Sequence, residues 1–333
     1  MGELVFRKCQ YGKEATRGTA VPATAVWPGT ITVPADRKPK FPAETLGIRA
    51  RAQRGVVHQI GLDGITLTME DGIFQKLPIL FLCALKGDVT GVEQTPDQHD
   101  YLWDFSPSLS ASNAPNAMTL EYGDDVQAFE MEYAMIKRLV ISGRIGADEP
   151  VKVEAELFAK QITPTTFTGS LSAIKGEAMI ANLTKLYVND TWANLGNTQK
   201  TDLLREFSVE ILTGIHPKFF ANGVKTMSSH GEGFLDAMAT LTFEGNATAD
   251  GYYDDFVAGT EHALQILIEG SQIGSGEKHS LELDLYGSFE EVIPLSSEAD
   301  GNNLHAAVFH AHSDREATPH LLAAKVITDQ NTV

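Results

Sequence analysis

The residues best suited to chemistry are concentrated late in the chain. The run NLHAAVFHAHSDREATPH holds His305, His310, His312 and His320, with Asp314 among them. His310 and His312 form an H-x-H pair, which on a strand places both imidazoles on one face, an arrangement that metal sites use. No cysteine and no Glu-x-x-His partner accompanies them, so a polar strand face is expected and no metal is assigned. A second stretch, GSQIGSGEKHS (270–280), holds Gly270, Gly274, Gly276 and Lys278. Its spacing departs from the phosphate-binding loop pattern, and Glu277 separates the last glycine from the lysine. These glycines are therefore expected to supply positive φ to a strand–turn–strand unit. No G-x-S-x-G elbow is present. Carboxylates alternate along several segments and could in principle hold a glycosidase pair. Aromatic residues are only 8% of the chain, without a Trp/Tyr cluster to stack on a sugar, so these carboxylates read as polar strand faces. No catalytic residue and no cofactor is assigned, and the chain is read as a non-enzyme.

Charge limits the partners. Acidic residues number 44 against 26 basic ones, a net charge of −18, which disfavours direct grip on a phosphate backbone or an anionic membrane. The same charge suits a protein that must stay near DNA without sticking to it. The start MGELVFRKCQ lacks a secretory pattern, and the longest apolar run, 77–85, contains Pro78 and is too short to span a bilayer, so neither export nor insertion is expected. Cys9 sits in a polar stretch and Cys83 in an apolar one, so no disulfide framework is expected.

Positioning falls to strands. Residues 11–48 are rich in Pro, Gly and Thr and show no sustained period, which predicts an extended arm; its Val21, Val26, Trp27, Ile31, Val33 and Phe41 predict that it lies on another surface. GVVHQIGLDGITLTMEDG predicts one or two strands broken at Asp63-Gly64, and residues 74–87 predict a helix ending at Gly87. Strand patterns follow at 101–105, 117–122, 127–143, 151–162, 178–190, 203–214, 234–245, 263–270 and 279–292, with one short helix near 246–259. Along 151–157, Val151, Val153, Ala155 and Leu157 point one way, while Lys152, Glu154 and Glu156 point the other. Without gaps, IGADEPVKVEAELF (145–158) aligns on IGSGEKHSLELDLY (273–286): both carry Ile-Gly, then Glu149 or Glu277, then aliphatic-Glu-x-acid-Leu-aromatic. That echo predicts an internal duplication.

The segment LELDLYGSFEEVIPLSSEADGNNLHAAVFHAHSD (281–314) resembles the C-terminal part of siphophage tail tube (major tail) proteins: a strand, a loop with Glu298-Ala-Asp-Gly301, then a strand over Ala306–Asp314. The stretches GKEATRGTAVPATAVWPGTITVP and KLYVNDTWANLGNTQKTDLLREFSVEIL are similar to the same family. The resemblance implies a mainly β chain of two tandem β-sandwich domains with a flanking helix, long hairpins and an extended arm. The expected divisions are arm 1–49, first domain 50–176, second domain 177–318 and C-terminal tail 319–333. It further implies a structural virion protein that self-assembles into stacked rings, the tube through which the genome is delivered. Two such domains per chain imply a homotrimeric ring. Expected partners are further copies, a tape measure protein and a tail terminator, with genomic DNA passing through unbound and no membrane. The site of action would be the virion tail, after synthesis in the host cytoplasm. Glu130, Glu132, Glu154, Glu156, Glu282 and Asp284 are the candidates to line the channel. The alternative is another phage structural or adhesin-like β-sandwich, such as a tail terminator or capsid-decorating protein.

Overall fold

The computed structural model describes residues 4–35, 37–39, 47–51, 56–58, 62–146, 149–173 and 175–333. The chain is mainly β, 49% strand and 10% helix. In order the strands are β1 (Lys8–Lys13), β2 (Ala25–Trp27), β3 (Thr30–Thr32), β4 (Arg37–Pro39), β5 (Val56–His58), β6 (Leu62–Met69), β7 (Val92–Glu93), β8 (Tyr101–Asp104), β9 (Met118–Gly123), β10 (Ala128–Arg144), β11 (Lys152–Ala159), β12 (Thr163–Thr165), β13 (Thr184–Asn189), β14 (Leu204–Leu212), β15 (Ile215–Lys218), β16 (Ser229–Glu232), β17 (Asp236–Glu244), β18 (Glu261–Gln272), β19 (Lys278–Ala299), β20 (Asn302–Ala311) and β21 (Leu322–Thr328). Two α-helices interrupt them, α1 (Leu77–Ala84) and α2 (Ala247–Ala258).

Apart from the separate hairpins β4–β5 and β15–β16, the strands form one continuous antiparallel network. One layer runs β3–β6–β11–β10–β14–β17–β20–β19. The other runs β13–β18–β19–β21–β8–β7. β19 belongs to both: residues 280–285 lie between β18 and β21, and the part beyond Gly287 follows β20. The inward residues of the two layers, Val153, Leu157, Val209 and Phe309 from one and Ile266, Leu283 and Val326 from the other, belong to a single hydrophobic core. Across residues 176 and 177, where a domain division was expected, the sheet is continuous through the β10–β14 ladder.

Alternation explains most of this. On β11, Val153, Ala155 and Leu157 are buried while Lys152, Glu154 and Glu156 are only partly so; on β14, Phe207, Val209 and Ile211 are buried while Ser208 and Glu210 are half-buried. The unusual length of β10 has a different cause. Its pairing shifts between Met131 and Ala134, where Tyr133 takes φ +60°, and again between Ile136 and Arg138. Each added residue flips the following side chains to the other face, so β10 is two segments with different neighbours. Its first part lies between β9 and β12, and its second between β11 and β14.

The echoed segments occupy corresponding places. Residues 145–158 supply a turn and β11; 273–286 supply a turn and the start of β19. Val153, Ala155 and Leu157 face Ile141, Leu139 and Ile136 across their hairpin, as Leu281, Leu283 and Leu285 face Ile268, Ile266 and Leu264 across theirs. Each turn uses a glycine at positive φ, Gly146 at 90° and Gly274 at 56°. The two hairpins lie in different layers.

Several expectations need correction. The region 319–333 is no tail: β21 is held between β19 and β8, with Leu322, Ala324 and Val326 buried. Its LAAKVIT alternation is the same signal as in the other strands. The N-terminal arm lies on its own chain, where β1 pairs with β9 and β2, β3 pairs with β6, and Tyr11 and Trp27 are buried; Phe41 falls outside the described residues. Asp63-Gly64 does not break the strand, since both sit inside β6 at a register shift, with Gly64 at φ +86°. Cys9 is as buried as Cys83. The expected helix 74–87 begins as a 3-10 turn, Phe74–Lys76, and continues as α1 with all eight residues buried and Pro78 in its first turn, where no amide donor is required.

Candidate functional site

The outer face of the first layer is an extended polar surface that carries two of the candidate acids, Glu154 and Glu156. A row of cross-strand neighbours runs Thr30, Thr68, Glu154, Val140, Glu210, Met238 and His310, one residue from each of seven strands. The charges on it are paired. Arg138 Nε bonds Glu210, and its Nη1 lies 3.8 Å from Glu154. Lys137 Nζ lies 2.9 Å from Glu156 and also bonds Asp63. Arg144 lies 3.0 Å from Glu206, and Lys152 lies 3.0 Å from Glu70. Burial works against the Lys137 ammonium, but its two carboxylate partners win and raise its pKa. Six carboxylates thus face four cations, a mildly negative surface of mutually satisfied groups. One end of the face opens into a groove of about 600 Å³ lined by Glu70, Ser142, Arg144, Lys152, Glu206 and Thr240.

Of the six candidate acids, only Glu154 and Glu156 share this face. Glu130 and Glu132 precede the first β10 bulge and belong to another neighbourhood. Glu130 lies opposite Glu121 on β9, and burial, then Glu132 and Glu121, raise its pKa. Glu132 is buried and bonded by Gln161 Nε2 at 3.1 Å and Lys160 Nζ at 3.2 Å. Beside them, Glu14 accepts from Tyr133 N at 2.7 Å and Thr119 Oγ1 at 3.0 Å, and Glu121 accepts from Thr168 N at 2.7 Å and Thr168 Oγ1 at 2.6 Å. Those carboxylates fasten the N-terminal strands and the 166–168 segment to the body. Nothing in the alternation pattern distinguishes Glu14 and Glu121; their roles come from distant partners, the bulge residue Tyr133 for Glu14 and Thr168 for Glu121.

Glu282 and Asp284 lie in the second layer. Asp284 is 3% exposed. Gln265 Nε2 donates to it at 2.8 Å, Lys325 Nζ is 3.4 Å away, and the same ammonium bonds Glu282. Burial, and then the charge of Glu282, push the Asp284 carboxyl up to about 7 against the pull of Lys325 and Gln265. Strict alternation correctly puts both acids on the non-core side, but the β13–β18 side of the layer and its covering loop are close: Gly196 approaches Gln265.

The late histidines each have a carboxylate near. His310 Nε2 is 2.7 Å from Asp236 and its Nδ1 3.2 Å from Glu290; His320 Nδ1 is 2.6 Å from Asp314; His305 is buried with Asp250 3.7 Å away. His312 lies just past the end of β20, 3.9 Å from Glu261. Among the described residues no three His, Cys, Asp or Glu side chains are placed to hold a metal ion. The glycine turn 273–277 is held by the distant β7–β8 loop, with Ser275 N donating to Gln98 Oε1 at 2.9 Å and Glu277 N to Asp100 Oδ2 at 2.8 Å. Among the described residues no helix is long and apolar enough to cross a membrane. No protein-family model matches the chain, and no curated protein matches it in sequence.

Proposed function

We propose that this chain is a self-assembling structural protein of the phage tail-tube kind, whose copies close into rings that stack into a DNA-conducting tube in the virion tail. The observation that carries the reading is the first layer: eight strands, one face on the core, the other polar and ion-paired, and both edges open among the described residues. At one edge β3 pairs only with β6, and Thr30 and Thr32 are exposed. At the other, β18 stops pairing with β19 at Ser288, so β19 beyond it is paired on one side only, and residues 293–298 are all exposed.

An open sheet edge is a template for another strand. Pro294 and the shifts in pairing after Phe289 and Ile293 restrict what can pair there. Joined edge to edge, three copies would supply about 24 strands, and a spacing of about 4.8 Å gives a circumference on the order of 115 Å, room for a duplex inside. A lining of satisfied ion pairs with a slight acidic excess would offer phosphates no free cations, so no counterion release would hold the DNA. The corresponding places of the two echoed hairpins support a duplicated chain and hence a trimer rather than a hexamer. Tape measure protein and tail terminator are the further partners this reading implies.

Negative-stain microscopy of the purified protein across a concentration series tests it. Rings or tubes of uniform diameter are expected; a chain that stays monomeric at every concentration and salt would overturn the reading.

A further inference from the structure

The hairpin β15–β16 stands apart from the sheet. Among the described residues its strands pair only with each other, from Ile215 opposite Glu232 to Lys218 opposite Ser229. Its base is pinned. Ile215 and Met227 are buried in a small separate core with Tyr133, Met135 and Phe158. Tyr133 Oη lies 3.1 Å from His230 Nδ1, and Ser112 Oγ donates to Glu232 at 2.6 Å. The tip is bare: Phe219, Phe220 and Val224 are 45%, 59% and 56% exposed. Single exposed hydrophobes are ordinary, but two adjacent phenylalanines and a valine on one short tip form a cluster that the fixed base cannot fold away. The tip is also cationic within an anionic chain. Lys218 and Lys225 are exposed there, while Glu232, the hairpin's one carboxylate, is tied down at the base.

A surface of matching character lies on α2. The inner side of this helix packs Tyr252 against Phe243 and Phe289. On its outer side Tyr253 and Val257, one turn apart, are 42% and 67% exposed, with Asp250 and Asp254 on the same stripe. The helix contains no lysine, arginine or histidine.

We propose that the β15–β16 tip of one copy docks on the outer face of α2 of a second copy, Phe219 and Phe220 covering Tyr253 and Val257 while Lys218 and Lys225 face Asp250 and Asp254. Charge complementarity selects the occupant, because a cationic apolar tip meets an anionic apolar stripe of the same chain. The contact joins two different patches, so every docked pair leaves one tip and one helix free and association propagates. It rests on self-association but not on a tube, since such contacts serve a ring, a stack or an open chain equally.

Two variants test it, Phe219→Ser/Phe220→Ser at the tip and Tyr253→Ser/Val257→Lys on the helix, each confirmed folded by its circular dichroism and melting curve. In sedimentation velocity each alone should self-associate at least about tenfold more weakly than the wild type. A one-to-one mixture should form a discrete heterodimer, because one intact tip meets one intact helix. Lys218→Glu/Lys225→Glu should weaken association similarly, and adding Asp250→Lys/Asp254→Lys in the same chain should restore it. Wild-type association by either double variant, or a mixture that fails to pair, would overturn the proposal. So would co-sedimentation of the wild-type chain, but not the tip variant, with phosphatidylserine vesicles in the absence of self-association, which would assign the tip to a membrane. Tubes built equally well by the tip variant would leave the tube reading standing and this contact refuted. Heterodimers without any ring or tube would do the reverse.

Discussion

Two buried ionisable groups, Lys76 and Asp284, contribute to the pH response with opposite sign. Lys76 is 2% exposed, and its Nζ donates to Tyr11 Oη at 3.0 Å, with no carboxylate paired to it among the described residues. Burial lowers its pKa from 10.5 to about 8. Its folded pKa lies below its unfolded one, so the cost of the buried ammonium is full below about pH 8 and fades as pH rises toward the unfolded value. Replacing both partners, Tyr11→Phe with Lys76→Met, avoids stranding the hydroxyl. This double variant should be more stable by about 2 kcal/mol at pH 7. In urea unfolding the gain should be smaller at pH 9 than at pH 7. Asp284 has the opposite sense. Its folded pKa, about 7, is above the ordinary carboxyl value of 3.8, so the native state loses stability as pH rises through that window. Asp284→Asn should flatten this fall, raising the melting temperature at pH 8 and leaving it nearly unchanged at pH 4; an equal shift at both would assign the effect to packing.

At the scale of elements, ends and bulges decide more than interiors do. α2 starts at Asn246, whose side chain accepts from Thr248 N at 3.0 Å and Ala249 N at 3.1 Å, and it stops at Gly259 with φ 67°. Asn246→Ala should cost about 1 kcal/mol. A melting-temperature drop of a few degrees, recovered by Asn246→Ser, would show the capping bond as the cause. The same signals make this helix legible in the sequence, where Asn precedes it and Gly follows it. β10 was legible only as a long strand. The bulge at Tyr133 leaves no trace in residue type, because a tyrosine at positive φ is held there by the hydrogen bond its backbone N–H donates to Glu14 and by packing in a small core with Met135, Phe158 and Ile215. Glu130 and Glu132, on the first segment of β10, therefore lie among other neighbours than Glu154 and Glu156 do.

For the whole molecule, the polar face of the first layer carries the function proposed. Glu154→Gln with Glu156→Gln removes two negative charges and frees Arg138 and Lys137 from two of their partners. Assemblies of this variant should retain DNA at low salt and release it steeply as salt rises, while wild-type assemblies retain little at either; tube formation should be unaffected. In a virion the same change should slow genome delivery. Equal DNA retention by both proteins would place these glutamates outside the channel.

The sequence by itself determined the β-rich class, most of the long strands, both helices and the excess of acid, because period, caps and turn residues are local properties that neighbours within a few positions enforce; the short strands of the arm and β21 were not read as strands. It also held the echo between 145–158 and 273–286. Only the tertiary structure decided where those strands go: that β10 pairs with β14 so the two halves share one sheet, that LAAKVIT runs inside the second layer instead of trailing away, and that Glu156 and Asp284, matched in the echo, end in different settings. Strand pairing is a choice among distant partners with similar alternation. It is settled by the combined burial of a core that no short window of sequence contains.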